Sequence, residues 1–427
     1  MNLELRRRGD FRDADDLSDW EFNHVYLDAM SGSCELDDVH LEGMSESDEF
    51  NDEYLEAMTE SLKSINNRYR YMSTPQPRIN QHIPHPPIDQ EIKPTFLHSH
   101  RYNPHSSSWA IFGYSDRVLK PGDNLKIASW NLFFSDHALT ARTSAAIANL
   151  RTMFGQAPQN LVVMFQEVRL ESLQIILGDK WVQQNFVLSD AKPPCLQYAN
   201  NQSFDEKPDC KPSDYFTLIM SSRDLPISNC FRVPFVSKQE RDALVVDIPI
   251  FEDPGTERSK RSLRLCTAHL ESLWGKDLRF RQLVQVSALL RGDLSQGRII
   301  YGGLVGGDMN AYDRSEDDNH RVPEVDLKDV WEDEPAPKPQ VLKPFRKDLT
   351  FGKAKGHTWG YHSVKYKKRT RLDKFYYTGS IKTFALGEAQ DTTGKLGRFG
   401  MGLKTKVGSD DVWVSDHFGI AVGITVV

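Results

Sequence analysis

The sequence has 427 residues, which is enough for one large domain of about 300 residues with an appendage. It contains no run of 18 or more apolar residues and no apolar stretch near its start, so we expect neither a transmembrane helix nor a signal peptide. The five cysteines are odd in number and widely spaced, which argues against a disulfide framework and against zinc. They favour a reducing, intracellular setting, whether nuclear, cytoplasmic or both.

The net charge of −7 is divided unevenly along the chain. Residues 1–60 hold 19 acidic and 4 basic side chains, whereas the other positions hold 41 acidic and 49 basic ones, a balance of +8. A basic body suits a polyanionic substrate, and an acidic segment can screen it. The same balance also fits a mildly basic surface with no such role.

The first 110 residues are predicted to be a disordered tail. They lack a sustained apolar period and are acidic at first, then rich in Pro, His and Gln. A Leu-acidic-small-Met pattern starts at Leu27, Leu41 and Leu55, at intervals of 14 residues. If helical, the three leucines would share one face and form a repeated docking motif for a protein partner. Chance similarity within a biased acidic segment explains the pattern equally well.

From residue 120 to 427, short apolar runs that indicate core strands alternate with helical patterns. This mixture predicts an α/β (α+β) catalytic domain with helices packed outside a pair of stacked sheets. Residues 190–214, with several prolines and asparagines, are predicted to be a surface loop. The predicted strands include residues 125–128, 161–165, 215–220, 243–248, 263–266, 299–301 and 419–424, and the predicted helices are 139–154 and 277–291.

Short polar motifs stand at the ends of these apolar runs. Polar side chains at strand ends can converge on one rim of a sheet, which is how a metal-assisted phosphoryl-transfer site is assembled from distant parts of a chain. Each motif alone is more often structural, so the inference depends on their joint occurrence in this order. The motifs are Trp130-Asn131, Gln166-Glu167, His269-Leu270-Glu271-Ser272, Gly307-Asp308-Met309-Asn310 and Ser415-Asp416-His417.

The residue types suit hydrolysis of a phosphodiester. Glu167, a lone carboxylate directly after a strand, is the natural ligand for Mg²⁺, with Mn²⁺ as an alternative. Asp308 and Asn310 lie two residues apart on one face of an extended segment and could orient the attacking water. His417 could donate to a phosphate oxygen.

Taken together, these motifs resemble those of the endonuclease/exonuclease/phosphatase superfamily. Within it, the block His269-Leu270-Glu271-Ser272 and the block Asp329-Val330-Trp331-Glu332 resemble those of the 5′-tyrosyl-DNA phosphodiesterases. The resemblance covers about residues 125–427 and implies a DNase I-like four-layer sandwich of two β-sheets flanked by helices. It implies that Asn131, Glu167, Asp308 and His417 are the core catalytic residues, with Glu167 holding the metal. It further implies that Asn310, His269 and Ser272 contact the scissile phosphate, that Asp416 supports His417, and that Trp359 lies at the edge of the site. Trp359 could equally be a core aromatic residue.

Three positions depart from the pattern of that family. Phe133 stands where an acidic residue near the metal is expected, Tyr312 stands where an arginine is expected, and Trp274 replaces a second arginine. These differences bear on metal affinity and on the shape of the DNA groove. The basic run at residues 365–371 could hold DNA phosphates or form a solvated edge strand protected by lysines.

The sequence therefore predicts a Mg²⁺-dependent phosphodiesterase that acts on DNA 5′ ends, most of all on 5′-phosphotyrosyl adducts in DNA repair. The alternatives are another phosphoesterase of the superfamily, acting on abasic DNA, RNA or inositol phosphates, and an inactive scaffold that binds partners through its acidic repeats.

Overall fold

A computed structural model describes residues 94–112, 119–194, 213–250, 261–273, 275–292, 299–332, 356–362 and 369–427. The acidic repeats, Trp274 and most of the basic run at 365–371 lie outside these residues. In chain order the described strands are β1 (Thr95–Phe96), β2 (His100–Asn103), β3 (Ser108–Ile111), β4 (Asn124–Asn131), β5 (Leu161–Val168), β6 (Phe186–Leu188), β7 (Phe216–Ser222), β8 (Asn229–Pro234), β9 (Asp242–Pro249), β10 (Arg261–His269), β11 (Ile299–Asp308), β12 (Lys328–Asp329), β13 (Asp373–Gly379), β14 (Ile381–Phe384), β15 (Asp391–Thr393), β16 (Leu396–Phe399), β17 (Lys404–Val407), β18 (Asp410–Trp413) and β19 (Gly419–Val426).

The described helices are α1 (Leu139–Phe154), α2 (Leu170–Gly178), α3 (Lys180–Asn185) and α4 (Lys276–Arg291). None of them combines the length and the apolar character needed to cross a membrane. The strands and helices belong to one compact unit. Residues 135–137 belong to a second unit and form a turn in which the His137 N–H donates to Ser135 Oγ at 3.3 Å.

Two mixed sheets form the centre of the fold. The first has the order β1-β8-β9-β10-β11-β13-β12. The second has the order β15-β16-β19-β4-β5-β7-β6-β2-β3, with β14 also paired to β19. In each sheet the two central strands run parallel, β10 with β11 and β4 with β5, and their outer neighbours are antiparallel.

Alternation along each strand divides the apolar residues between three cores, because successive side chains point to opposite faces. Leu125 and Ile127 of β4 pack with Leu263 and Leu265 of β10 between the two sheets. Ala128 and Trp130, on the other face of β4, pack against α1, α2 and α3, and the outer face of the first sheet packs against α4. The resulting order is helices, sheet, sheet, helix, so the predicted four-layer sandwich is confirmed.

The predicted boundary of the tail at residue 110 is wrong. Residues 95–111 form β1, β2 and β3, which pair with β8 and β6 and with each other. Strands of two to four residues are too short to show a period in the sequence, and the pairing partners that stabilise them lie far along the chain.

One edge of the two sheets gathers the ends of several strands. The parallel pairs β4/β5 and β10/β11 both end here, and β13 and β19 begin here. Gly307 allows β10 and β11 to stay close, because a Cβ at this position would overlap the carbonyl oxygen of Ala268. The pairing continues one residue further and places His269 beside Asp308.

Lys374 of β13 is a fully buried lysine. Its Nζ has no hydrogen-bond partner among the described residues and lies 3.9 Å from Oδ1 of the exposed Asp317. Burial, together with the nearby charge of Arg371, lowers the pKa of Lys374 to about 8. The folded protein therefore holds an ammonium group in an unfavourable environment at neutral pH.

We expect Lys374→Met to raise the free energy of unfolding at pH 7 by an amount on the order of 1–3 kcal/mol, since a buried charge is removed. Between pH 8 and about 10.5 the unfolded wild type binds more protons than the folded protein, so wild-type stability rises and this advantage shrinks. Urea unfolding from pH 7 to 10.5 measures it, with the exposed Lys382→Met as the control. If the difference in free energy of unfolding between Lys374→Met and wild type stayed constant across this pH range, the lowered pKa of Lys374 would be contradicted.

Candidate active site

Glu167 lies at the point where β5 departs from regular strand geometry. Its φ is +57°, a left-handed conformation that is rare for a long side chain. The backbone N–H of Phe134 donates to Glu167 Oε2 at 2.8 Å. Burial and then the nearby carboxylate of Asp416 raise the pKa of Glu167 to about 7. The environment of this carboxylate therefore favours the arrival of a positive charge.

Asp308 ends β11 and is held from two sides. Its Oδ1 accepts from the backbone N–H of Asn310 at 2.9 Å, and its Oδ2 accepts from Asn131 Nδ2 at 3.1 Å. Burial raises the pKa of Asp308 to about 6, against the lowering effect of His417. Asn310 Nδ2 donates away from the centre, to the carbonyl oxygen of Leu270 at 2.9 Å. Asn131 and Asn310 thus orient the carboxylate.

His417 is paired with a carboxylate, but not with the one that the sequence indicated. Its Nδ1 lies 2.8 Å from Oδ2 of Asp373, the first residue of β13, whereas Asp416 Oδ1 is 4.0 Å from its Nε2. The short contact to His417 is therefore made by Asp373, and Asp416 supports the imidazole only through its charge. Burial alone would lower the pKa of His417, but Asp373, Asp416 and Asp308 together raise it well above its usual value. His417 is therefore an imidazolium at neutral pH.

His269, by contrast, is neutral, since burial and the adjacent charge of Arg241 lower its pKa well below the usual value. Arg241 Nη1 lies 2.7 Å from His269 Nδ1. An arginine can only donate, so Nδ1 must be the acceptor and the ring proton sits on Nε2. That Nε2–H is 3.5 Å from Asp308 Oδ2 and 3.7 Å from Glu167 Oε1.

Two predicted substrate-binding residues lie beside this centre. Ser272 donates to Gln239 Oε1 through both its backbone N–H and its Oγ, each at 2.8 Å, and the same oxygen accepts from Arg241 Nη2 at 3.3 Å. Ser272 is therefore connected to His269 through Gln239 and Arg241 rather than directly. Trp359 Nε1 donates to Asp416 Oδ2 at 3.2 Å, which places the indole at the edge of the cluster of carboxylates formed by Glu167, Asp308 and Asp416.

Phe133 and Tyr312, the two described positions that depart from the family's pattern, have aromatic surroundings. Phe133 is half-buried, with φ +61°, and its ring lies 5.0 Å from the guanidinium of Arg142 and 6.4 Å from the ring of His362. Its backbone N–H donates to Asn131 Oδ1 at 2.9 Å. The ring of Tyr312 meets that of Trp359 edge-on at 5.9 Å.

Comparison with known proteins places the chain in a family. The model of the endonuclease/exonuclease/phosphatase family matches residues 128–417, about two thirds of the sequence. The chain belongs to this family. A search of curated proteins finds no match.

Solved structures of the endonuclease/exonuclease/phosphatase fold are similar at low identity. Truncated TDP2 of Caenorhabditis elegans is 20% identical with a TM-score of 0.47, and covers 71% of this chain and 97% of its own. TDP2 of D. rerio complexed with a single-strand DNA product is 19% identical, with a TM-score of 0.45 and coverages of 71% and 99%. The human Nocturnin catalytic domain with bound sulfate is 13% identical, with a TM-score of 0.40 and coverages of 74% and 98%.

Sequence reasoning did not include Asp373 and Arg241 among the candidate site residues, although the structure places them beside His417 and His269. Asp373 starts an apolar strand, and the sequence signal that could have found it is the same strand-end placement that marked Glu167 and Asp308. Its backbone N–H donates to Thr358 Oγ1 at 3.1 Å, and the Thr358 carbonyl accepts from the Phe418 N–H at 2.8 Å. Arg241 precedes its strand and carries no comparable signal.

We expect Asp373→Asn to lower kcat for a phosphodiester by roughly 10²-fold or more, since the imidazolium of His417 loses its charged partner. Turnover of bis(p-nitrophenyl) phosphate measures the loss. Asp247→Asn is the matched control, because Asp247 is equally buried but pairs with Arg264 at 2.7 Å. Equal losses in the two variants would show that Asp373 acts only on stability.

Proposed function

We propose that this protein is a Mg²⁺-dependent phosphodiesterase that hydrolyses phosphoester bonds at DNA 5′ ends, with 5′-phosphotyrosyl DNA as its substrate. Membership of the endonuclease/exonuclease/phosphatase family establishes the broader class of phosphoesterase. The substrate and the metal are the proposal's own, and they are supported by the geometry of the site and by the motif resemblance.

One observation carries the chemistry: two imidazole N–H groups and one amide converge on the same carboxylate oxygen. Asp308 Oδ2 lies 3.1 Å from Asn131 Nδ2, 3.5 Å from His269 Nε2 and 3.6 Å from His417 Nε2. The two imidazole distances exceed a hydrogen bond, so both donors remain available to phosphoryl oxygens. Donors placed in advance around a point of developing negative charge are what phosphoryl transfer requires.

The donor set fits a hard divalent cation. Glu167 offers carboxylate oxygens in a site where burial disfavours its charge, and Asp416 Oδ1 is buried without a hydrogen-bond partner among the described residues. Mg²⁺ prefers such oxygens and uses few protein carboxylates. Glu167 would hold the ion with help from Asp416. When bound, the ion would supply positive charge to the carboxylates and to the phosphoryl group.

The protein groups have separable roles in hydrolysis. Asp308 is a carboxylate at neutral pH and accepts a proton from water as the water oxygen forms its bond to phosphorus. His417 and His269 donate from Nε2 to the phosphoryl oxygens, one as an imidazolium and the other as a neutral imidazole. The bond between phosphorus and the leaving-group oxygen breaks as negative charge moves onto that oxygen.

A half-buried tyrosine beside His269, backed by the buried Phe134 and Arg241, supports a phenolic leaving group. The ring of Tyr215 stacks on Phe134 at 5.2 Å, lies 6.2 Å from the His269 ring, and is covered by the Arg241 guanidinium at 4.9 Å. The exposed part of the Tyr215 ring can pack against an aryl group, and the positive charge of the buried guanidinium behind it favours a departing phenolate.

The decisive experiment offers the purified chain a 5′-phosphotyrosyl oligonucleotide, an abasic duplex, RNA and an inositol phosphate, each with Mg²⁺ and with EDTA. We expect Mg²⁺-dependent release of tyrosine. We expect Glu167→Gln and His417→Gln each to reduce it by about 10²- to 10³-fold, because each removes a central charged group. Asp247→Asn is again the control.

Turnover confined to a substrate other than the tyrosyl oligonucleotide would contradict the substrate assignment and retain the phosphoesterase. If the chain turned over none of the four substrates, the result would favour the alternative of an inactive scaffold that binds partners through its acidic repeats.

A further inference from the structure

Arg142 of α1 lies outside the catalytic group but connects two of the loops that build it. The side chain is only 2% exposed. Its Nη1 donates to the carbonyl oxygens of Leu132 at 3.1 Å, Phe133 at 3.0 Å and Val414 at 3.4 Å, and its Nη2 donates to Phe133 at 3.0 Å. One guanidinium from the helical layer therefore binds the backbone of two loops at strand ends: the first follows Asn131, and the second contains Val414 and His417.

The first loop supplies backbone donors to the catalytic side chains. The N–H of Phe133 donates to Asn131 Oδ1 at 2.9 Å, and the N–H of Phe134 donates to Glu167 Oε2 at 2.8 Å. The Asn131 amide is thereby turned so that its Nδ2 reaches Asp308. A shift of this loop would move the metal-binding carboxylate and the amide that orients Asp308 together.

The second loop carries His417. Ser415, next to Val414, donates through Oγ to the carbonyl oxygen of Asn131 at 2.6 Å and accepts from the backbone N–H of His417 at 3.0 Å. Because Arg142 contacts the residue before Ser415 and the two residues after Asn131, it fixes the spacing between these loops.

The first loop does not take its conformation for local reasons. Phe133 has φ +61°, a left-handed conformation that is unfavourable for a bulky residue and persists only where surrounding contacts impose it. Arg142 contacts Phe133 in two ways: the guanidinium donates to its carbonyl oxygen at 3.0 Å and lies 5.0 Å from its ring centroid. Together with Asn131 Oδ1, which accepts from the Phe133 N–H, Arg142 supports this left-handed residue.

We propose that Arg142 is a positioning residue for phosphoryl transfer, which holds the loops of Asn131 and His417 in register through backbone carbonyls. The inference rests on the proposed function for its kinetic consequence. Its structural part, the ordering of the Phe133 and Phe134 amides, stands independently of any substrate.

Arg142→Lys keeps the charge but cannot span the three carbonyl oxygens, because the three N–H donors of an ammonium leave one nitrogen and lack the planar, two-nitrogen fork of a guanidinium. We expect kcat for bis(p-nitrophenyl) phosphate with Mg²⁺ to fall about 10- to 100-fold, as for a small misplacement of catalytic groups, while KM changes less than about threefold. We also expect the amides of Phe133 and Phe134 to lose protection from hydrogen exchange while those of β5 keep it.

The matched control is Arg264→Lys. Arg264 is a buried arginine that pairs with Asp247 and donates to the carbonyl oxygen of Leu289 at 2.9 Å. We expect it to lower thermal stability and to leave kcat within about threefold of wild type. If Arg142→Lys does not fold, Arg142→Gln, a neutral donor, undergoes the same two measurements.

The outcomes separate the two proposals. Unchanged kcat, or retained protection of the Phe133 and Phe134 amides, would overturn the role of Arg142. If wild-type protein hydrolysed no phosphodiester, the proposed function would fail, and the exchange measurement would still decide whether Arg142 orders the loop. Loss of kcat equal to that of Arg264→Lys would reduce Arg142 to a stabilising residue.

Discussion

Four carboxylates crowded at one edge of two sheets set the constraint on which this site depends. Glu167, Asp308 and Asp373 are buried, and the side chain of Asp416 is 13% exposed. A cluster of four buried or nearly buried carboxylates is unstable unless positive charges lie close to it. His417 supplies one such charge, since it lies 2.8 Å from Asp373 and 3.6 Å from Asp308. The raised pKa of Glu167 indicates that a second positive charge beside this carboxylate would be stabilised.

The fold meets this constraint by ending its central strands together. The carboxyl ends of β4, β5, β10 and β11 meet the beginnings of β13 and β19, so residues separated by almost 300 positions come within hydrogen-bond reach. At these strand ends Phe133, Glu167 and Asn310 adopt positive φ. Strain that clusters at a charged centre is typical of sites whose geometry serves chemistry rather than stability.

Much of this arrangement could be predicted from the sequence, because strand-end motifs report both the strand and its functional terminus. The layers followed from the same apolar runs. The partner of His417 could not be assigned correctly from proximity in sequence, because consecutive residues of an extended chain point to opposite sides. Asp416 therefore turns toward Trp359, and the contact falls to Asp373, which is 44 residues away. Pairing of this kind depends on tertiary register, which local pattern does not encode.

Arg241 and Arg142 show a second limit of prediction from the sequence. Both are buried arginines whose role lies in what they donate to, an imidazole nitrogen in one case and backbone carbonyls in the other. Neither contact leaves a spacing rule in the sequence. Two histidines less than 4 Å from the same carboxylate oxygen differ in charge, because burial and the charge of Arg241 keep His269 neutral, while acidic neighbours keep His417 protonated.

The most direct test of this account is the protonation state of His417, read from ¹⁵N NMR of the imidazole in metal-free protein at pH 7.5. The signals are assigned by comparison with His417→Gln. The account predicts that both ring nitrogens of His417 carry protons, while His269 carries one, on Nε2. A neutral His417 in the folded protein would contradict the charge balance from which the mechanism is derived.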